Sequence, residues 1–129
     1  MRILLADEQP KVRFAIHVLL KPRAELKVVS EATNAEELLA QIPKSNPDVL
    51  ILDWRLPGLE EIGSLARLKK NYPGLYIVVL SGRPELGQTA LDAGADDFVS
   101  KIDPPENLLG AIAACVARLE ERRLVVNVQ

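Results

Sequence analysis

Five polar residues in this sequence stand just past short apolar runs. Asp7 and Glu8 follow Ile3-Leu4-Leu5-Ala6, Asp53 follows Val49 to Leu52, Ser81 follows Leu75 to Leu80, and Lys101 comes shortly after Phe98-Val99. Two carboxylates about 4 Å apart repel by on the order of 4 kcal/mol at an effective dielectric of 20. Three of them together must take up protons or hold a cation. An all-oxygen set suits a hard ion such as Mg²⁺, and a lysine opposite adds a second positive charge. Such a site can bind a phosphoryl group and react with it. A free carboxylate attacks, the positive charges neutralise the equatorial oxygens, and the hydroxyl donates a hydrogen bond. Taken singly, each residue has a plainer role. Asp7-Glu8 could cap a helix ahead of Pro10, Asp53 could form a turn, Ser81 could cap a helix, and Lys101 could be a solvated charge. Their joint placement at four run ends favours the site.

That placement requires the runs to be strands ending at one edge. They are continuous rather than alternating, the pattern of strands covered on both faces. A weaker run, Val28-Val29 within Leu26 to Ser30, makes five. Helical spacing fills the gaps. Val12, Ala15, Ile16, Leu19 and Leu20 share one face, as do Ala35, Leu38, Leu39 and Ile42 behind Thr33 or Asn34 as cap. Ile62, Leu65, Ala66 and Lys69 mark a third helix ending near Asn71 to Gly74. A short fourth runs from about Pro84 to Ala93, closed by Gly94. The fifth opens at Asp103-Pro104-Pro105-Glu106, with Asp103 as cap, and buries Leu108, Ala111, Ile112, Cys115 and Leu119. The order βαβαβαβαβα implies a parallel sheet with helices on both sides. Right-handed crossovers then gather the C-terminal strand ends on one edge, where open α/β sheets place their sites.

Composition agrees with one domain. The chain has 129 residues, 48% hydrophobic and 26% charged, with a net charge of −2. This balance implies neither a nucleic-acid-binding surface nor an acidic tail. A single cysteine, Cys115, rules out an internal disulfide and suggests a reducing compartment. No apolar run approaches the roughly 20 residues that span a bilayer, and the chain opens on a strand-like run rather than a leader. The expectation is a cytoplasmic protein. Residues 120–129, charged and then apolar, are expected to be a tail, the start of a linker or an extra strand.

The segments I-L-L-A-D-E-Q-P-K-V-R, D-V-L-I-L-D-W-R-L-P-G, I-V-V-L-S-G and A-L-D-A-G-A-D-D-F-V-S-K resemble the receiver domain of two-component response regulators. The resemblance covers residues 1–119, and the opening segment is most similar to receivers of LuxR-type regulators. It implies a flavodoxin-like, doubly wound five-stranded parallel sheet, (βα)5. It implies that Asp53 is the phosphoacceptor and that Asp7, Glu8, Asp53 and the backbone carbonyl of Arg55 hold Mg²⁺. Ser81 is then the switch hydroxyl, Lys101 the partner of the phosphoryl oxygens and Phe98 the switch aromatic, while Pro57 and Gly58 shape the acceptor loop. The implied donor is a sensor histidine kinase or phosphotransfer protein. The implied output is the face of the fourth helix, fifth strand and fifth helix (α4-β5-α5), through which a homodimer could form. The implied domain is a switch rather than an enzyme, with no nucleic-acid or membrane contact of its own.

Three positions and one spacing depart from the family pattern. Glu8 replaces the usual Asp, Ile102 stands where Pro is usual, Glu61 stands where Gly is common, and the span from Ser81 to Lys101 is slightly short. None removes an essential group. A phosphorylation-independent interaction module is the alternative. A Mg²⁺-dependent phosphohydrolase fits less well, because Arg55 occupies the place two residues after Asp53 where a general acid would stand. His17 is read as a solvated helix residue rather than a ligand. Phe14 and Val18 share a face outside the core stripe and suit either a partner surface or a satellite core contact. Trp54, the only tryptophan, adjoins Asp53 and reports on it.

Overall fold

Five parallel strands form one sheet in the order β2-β1-β3-β4-β5. The computed structural model describes residues 1–128, with side chains through residue 125. In chain order the elements are β1 (Arg2–Ala6), α1 (Pro10–Leu20), β2 (Lys27–Ala32), α2 (Ala35–Ser45) and β3 (Val49–Asp53). A single helical turn (Leu59–Ile62), α3 (Leu65–Asn71) and β4 (Tyr76–Ser81) follow. A 3-10 turn (Pro84–Leu86) then runs into α4 (Gly87–Asp92), β5 (Asp97–Ser100) and α5 (Pro105–Val128).

Alternation along each strand feeds two cores. Leu50 and Leu52 of β3 join Leu4, Leu38, Leu68, Ile77 and Val79 on one face. Val49 and Ile51 join Ile3, Leu5, Ile16, Val78, Leu108 and Ile112 on the other. Every residue of β3 is therefore buried, which explains the unbroken apolar run. After β1 the chain winds to one side to make β2, then crosses back to make β3. The winding reverses between β1 and β3, and that is where a site belongs.

Local chemistry sets the element ends, in places differently from expectation. Of the two candidate caps for α2, Asn34 fills the role, accepting the Glu37 N–H at 2.8 Å, while the Thr33 N–H donates to Glu37 Oε1 at 2.8 Å. The third helix is broken in two. Gly63 takes φ 89, and Ser64 then caps a fresh start by accepting the Arg67 N–H at 3.3 Å. The fifth helix begins at Pro105, one residue later than its proline pair suggested. Asp103 accepts from the Ser100 N–H at 3.2 Å, closing the loop after β5 in which Ile102 stands.

The C-terminal segment forms neither a strand nor an irregular tail. α5 continues as helix through Val128, built on the helix formers Glu120 to Leu124, with Leu124 and Val125 exposed; residue 129 lies outside the described part. Cys115 is wholly buried in this helix, and burial pushes its thiol up to about 11, so it stays protonated and unreactive. No helix among the described residues is long and apolar enough to cross a membrane.

Candidate functional site

Asp7 stands one residue past β1 and Asp53 ends β3, so both sit at the reversal of winding. They are 0% and 4% exposed. In each case the backbone turns back on the carboxylate. The Gln9 N–H donates to Asp7 Oδ1 at 2.9 Å and the Arg55 N–H to Asp53 Oδ1 at 3.1 Å. These local turns orient the acids but leave oxygen capacity unused.

Lys101 arrives from β5. Its N–H extends the ladder to the Ser81 carbonyl at 2.8 Å, which roots the side chain beside Ser81. Its ammonium lies 2.9 Å from Asp7 Oδ2 and 3.4 Å from Asp53 Oδ1. Although the first distance is short, the ammonium is not aligned to donate. Asp7 Oδ2 is therefore the one buried side-chain oxygen without a hydrogen bond among the described residues. Two buried carboxylates share one cation and one of their oxygens is orphaned, which leaves the site with a surplus of negative charge.

Ser81 is fully buried at the end of β4, its Oγ accepting the Arg83 N–H at 3.1 Å. Phe98 pairs with Val79 across β4 and β5, is half-buried, and packs on the core cluster beneath α4. The acceptor loop is pinned. The Pro57 carbonyl accepts the Ala35 N–H at 2.8 Å, and Gly58 adopts φ 80, a conformation that favours glycine. Arg55 sits in this loop beside Asp53, with its side chain exposed.

Glu8 is not gathered with the other two acids. Its side chain is exposed, and no group of three or more acid, His or Cys side chains is arranged to hold a metal among the described residues. The carboxylates available to a hard cation are those of Asp7 and Asp53. Their all-oxygen character and the orphaned Asp7 Oδ2 fit such an ion.

Two contributors escaped the sequence reading. Gln9 Oε1 accepts from Lys101 Nζ at 3.4 Å. The Arg13 guanidinium donates to the Asp7 carbonyl at 2.7 Å and lies 3.5 Å from Glu31. Their only sequence signal is position, two and six residues after Asp7 at the start of α1. His17 also pairs with Glu31, at 3.0 Å, and has no role at the site. Phe14 and Val18 are 71% and 55% exposed and are not core contacts. Between α1 and the start of α5 an apolar cleft of about 460 Å³ opens beside Lys101, lined by Val12, Ile16, Leu19, Val99 and Leu108.

A model of the response regulator receiver domain matches residues 3–113. The chain belongs to this family. The transcriptional activator protein ExaE of Pseudomonas putida is 35% identical to this receiver over 119 residues, covering 91% of this chain and 56% of that protein. The nitrate/nitrite response regulator protein NarL of Escherichia coli (strain K12) is 33% identical over 117 residues, covering 89% and 54%. The isolated REC domain of RcsB from Salmonella enterica serovar Typhimurium, solved with the phosphomimetic BeF3-, superposes with a TM-score of 0.79 at 31% identity, covering 88% and 86%.

The receiver thus spans about half the length of the curated relatives it matches. The likeness to LuxR-type regulators holds, as does the flavodoxin-like doubly wound sheet. Receivers of two-component response regulators have phosphorylation by a histidine kinase as their general role, and they generally use Mg²⁺ for it. They are not enzymes in the usual sense, although a protein-glutamate methylesterase/protein-glutamine glutaminase of Trichodesmium erythraeum is 35% identical over 104 residues, 30% of that protein.

Proposed function

We propose that this receiver accepts a phosphoryl group on Asp53 from a phosphohistidine donor, a sensor histidine kinase or a phosphotransfer protein. The observation that carries the proposal is the sharing of one ammonium, that of Lys101, by the two buried carboxylates of Asp7 and Asp53. An Asp53 oxygen attacks phosphorus, the phosphorus–nitrogen bond breaks, and an acyl phosphate forms. Lys101 is placed to pair with the new phosphoryl oxygens, and the Ser81 hydroxyl, at the end of the adjacent strand, to donate to one of them. Mg²⁺ held by Asp7, Asp53 and the Arg55 carbonyl, with Glu8 as an outer acid, would neutralise charge that a single lysine cannot. Water later cleaves the acyl phosphate, releasing phosphate and restoring the carboxylate.

The output follows from Ser81 and Phe98. When Ser81 turns to the phosphoryl group, the space beside Phe98 changes and the face of α4, β5 and α5 shifts between two populated states. That face is a candidate surface for a second copy or a target protein. Phe14 and Val18, exposed on α1, suit the docking of the phosphodonor.

Incubation with a small phosphodonor and Mg²⁺ should add one phosphoryl group, read as a mass shift. Asp53→Asn should abolish the shift and Lys101→Ala should reduce it. Undiminished labelling of Asp53→Asn would reject the acceptor.

A further inference from the structure

Among the seven glycines, Gly87 is unusual in its reason for being glycine. Gly58, Gly63 and Gly94 take positive φ. Gly74, Gly82 and Gly110 face open space, where a Cβ would meet nothing within 4 Å. Gly87 has φ −56 and ψ −48, ordinary helical values that any residue adopts. Glycine weakens a helix relative to alanine, and α4 has only six residues in which to absorb the loss. What glycine offers here is the missing Cβ. A Cβ at this position would lie 3.1 Å from Phe98 Cδ1, 3.4 Å from Cε1 and 3.5 Å from Cγ. The phenyl ring therefore occupies the volume that a side chain on the first turn of α4 would fill.

We infer that Gly87 is the positioning residue of Phe98. It holds open the slot that the ring occupies, and so ties the Phe98 rotamer to the first turn of α4. The inference rests on the reading of Ser81 and Phe98 as the switch. Phe98 and Ser100 lie on the same face of β5, and Ser100 pairs directly with Ser81. Phe98 itself pairs with Val79, two residues before Ser81 on the same face of β4, so the ring shares the face of the switch hydroxyl and meets the first turn of α4. A Cβ at residue 87 would crowd the ring edge, which must then give by a few tenths of an ångström, and so favours whichever arrangement moves the ring away from α4.

The test uses Gly87→Ala. The chain contains only two phenylalanines, Phe14 and Phe98, so fluorophenylalanine labelling gives two fluorine resonances. Gly87→Ala should shift the Phe98 resonance and leave that of Phe14, exposed on α1, in place. It should also change the affinity for beryllofluoride with Mg²⁺ roughly three- to tenfold, because the ring position and phosphoryl binding are coupled through Ser81 and Phe98. In a Phe98→Leu background the same substitution should change affinity by a factor near one.

An unmoved Phe98 resonance in a folded Gly87→Ala protein overturns the inference. So does a change in affinity that persists without the ring, or an affinity that is unchanged. If Gly87→Ala alone does not fold, Gly87→Ala/Phe98→Leu should restore folding, and failure to do so also overturns it. A wild-type protein that binds no beryllofluoride would count against the acceptor reading instead, and the fluorine shift would still decide the role of Gly87.

Discussion

The two ends of the sheet carry charge clusters made of the same kinds of groups. At the C-terminal edge, two buried carboxylates, Asp7 and Asp53, share the single ammonium of Lys101. At the N-terminal edge, Asp96 is met by both Lys69 and Arg118, the latter at 3.1 Å, and also accepts the Ile77 N–H at 2.8 Å. The second cluster has more cations than acids and its carboxylate is fully engaged, so it is balanced in the sense that every carboxylate oxygen has a partner. The first has more acids than cations and an orphaned oxygen. Burial of a charge is common to both and therefore indicates no function by itself. The surplus at one edge is the more telling feature, because a buried carboxylate oxygen without a hydrogen-bond partner gains most from a further ligand.

Breaking the balanced cluster should have the largest effect. Asp96→Ala removes the acceptor that ties α3, β4 and α5 together and leaves the Ile77 N–H without its side-chain partner. Lys69 and Arg118 are partly exposed and can return to water. The loss should be about 3 kcal/mol, mostly from the unmet donor and the lost tie. Urea denaturation measures it, and phosphoryl uptake by the protein that remains folded should be normal. A loss under about 1 kcal/mol would mean that Asp96 is an ordinary surface acid and that the contrast between the edges is overdrawn.

The surplus edge should respond to a divalent cation where the balanced edge does not. Ligand binding to the folded state alone stabilises by about 2.7 kcal/mol at 100 times the dissociation constant. Mg²⁺ should raise the melting temperature of the wild type accordingly and change the emission of Trp54, next to Asp53. Asp96→Ala should keep the whole increment, Asp53→Asn should lose most of it, and Glu8→Gln should lose part. A wild-type protein indifferent to millimolar Mg²⁺ would make the acids turn formers rather than ligands.

The candidate edge was legible in the sequence because each of its members follows an apolar run, and parallel strands put their C-terminal ends on one edge of the sheet. Asp7, Asp53, Ser81 and Lys101 needed no more than that. Glu8 shows the limit. Its position next to Asp7 places it near the edge, but neighbouring residues past a strand end need not point the same way, and its side chain lies in solvent. The broken third helix was hidden because Leu65 and Ala66 continue the spacing of Ile62, while Gly63 and Ser64 interrupt the backbone between them. The balanced cluster was not legible at all. Lys69, Asp96 and Arg118 come from three separate segments, and nothing in their local sequence announces that they meet. Gly87 was equally silent, since its partner Phe98 lies 11 residues on and only packing joins them.

The smallest effect is the one that separates the two edges most cleanly. Asp7→Asn keeps the Oδ1 atom that accepts the Gln9 N–H and keeps the side-chain volume, so packing is undisturbed. It removes one of two like charges and leaves Lys101 paired one-to-one with Asp53. Two opposing terms remain: relief of repulsion between the carboxylates, and loss of the Asp7–Lys101 attraction. At a site with surplus negative charge the relief wins. Stability without divalent cations should therefore rise, by about 1 kcal/mol, well below the bare pairwise Coulomb figure because the two terms oppose. Chemical denaturation in the presence of a chelator measures it. With saturating Mg²⁺ the order should reverse, because the wild type gains a ligand that the variant binds weakly. A fall in stability without Mg²⁺ would mean that Asp7 is as fully engaged as Asp96, and that the C-terminal edge is a second structural latch.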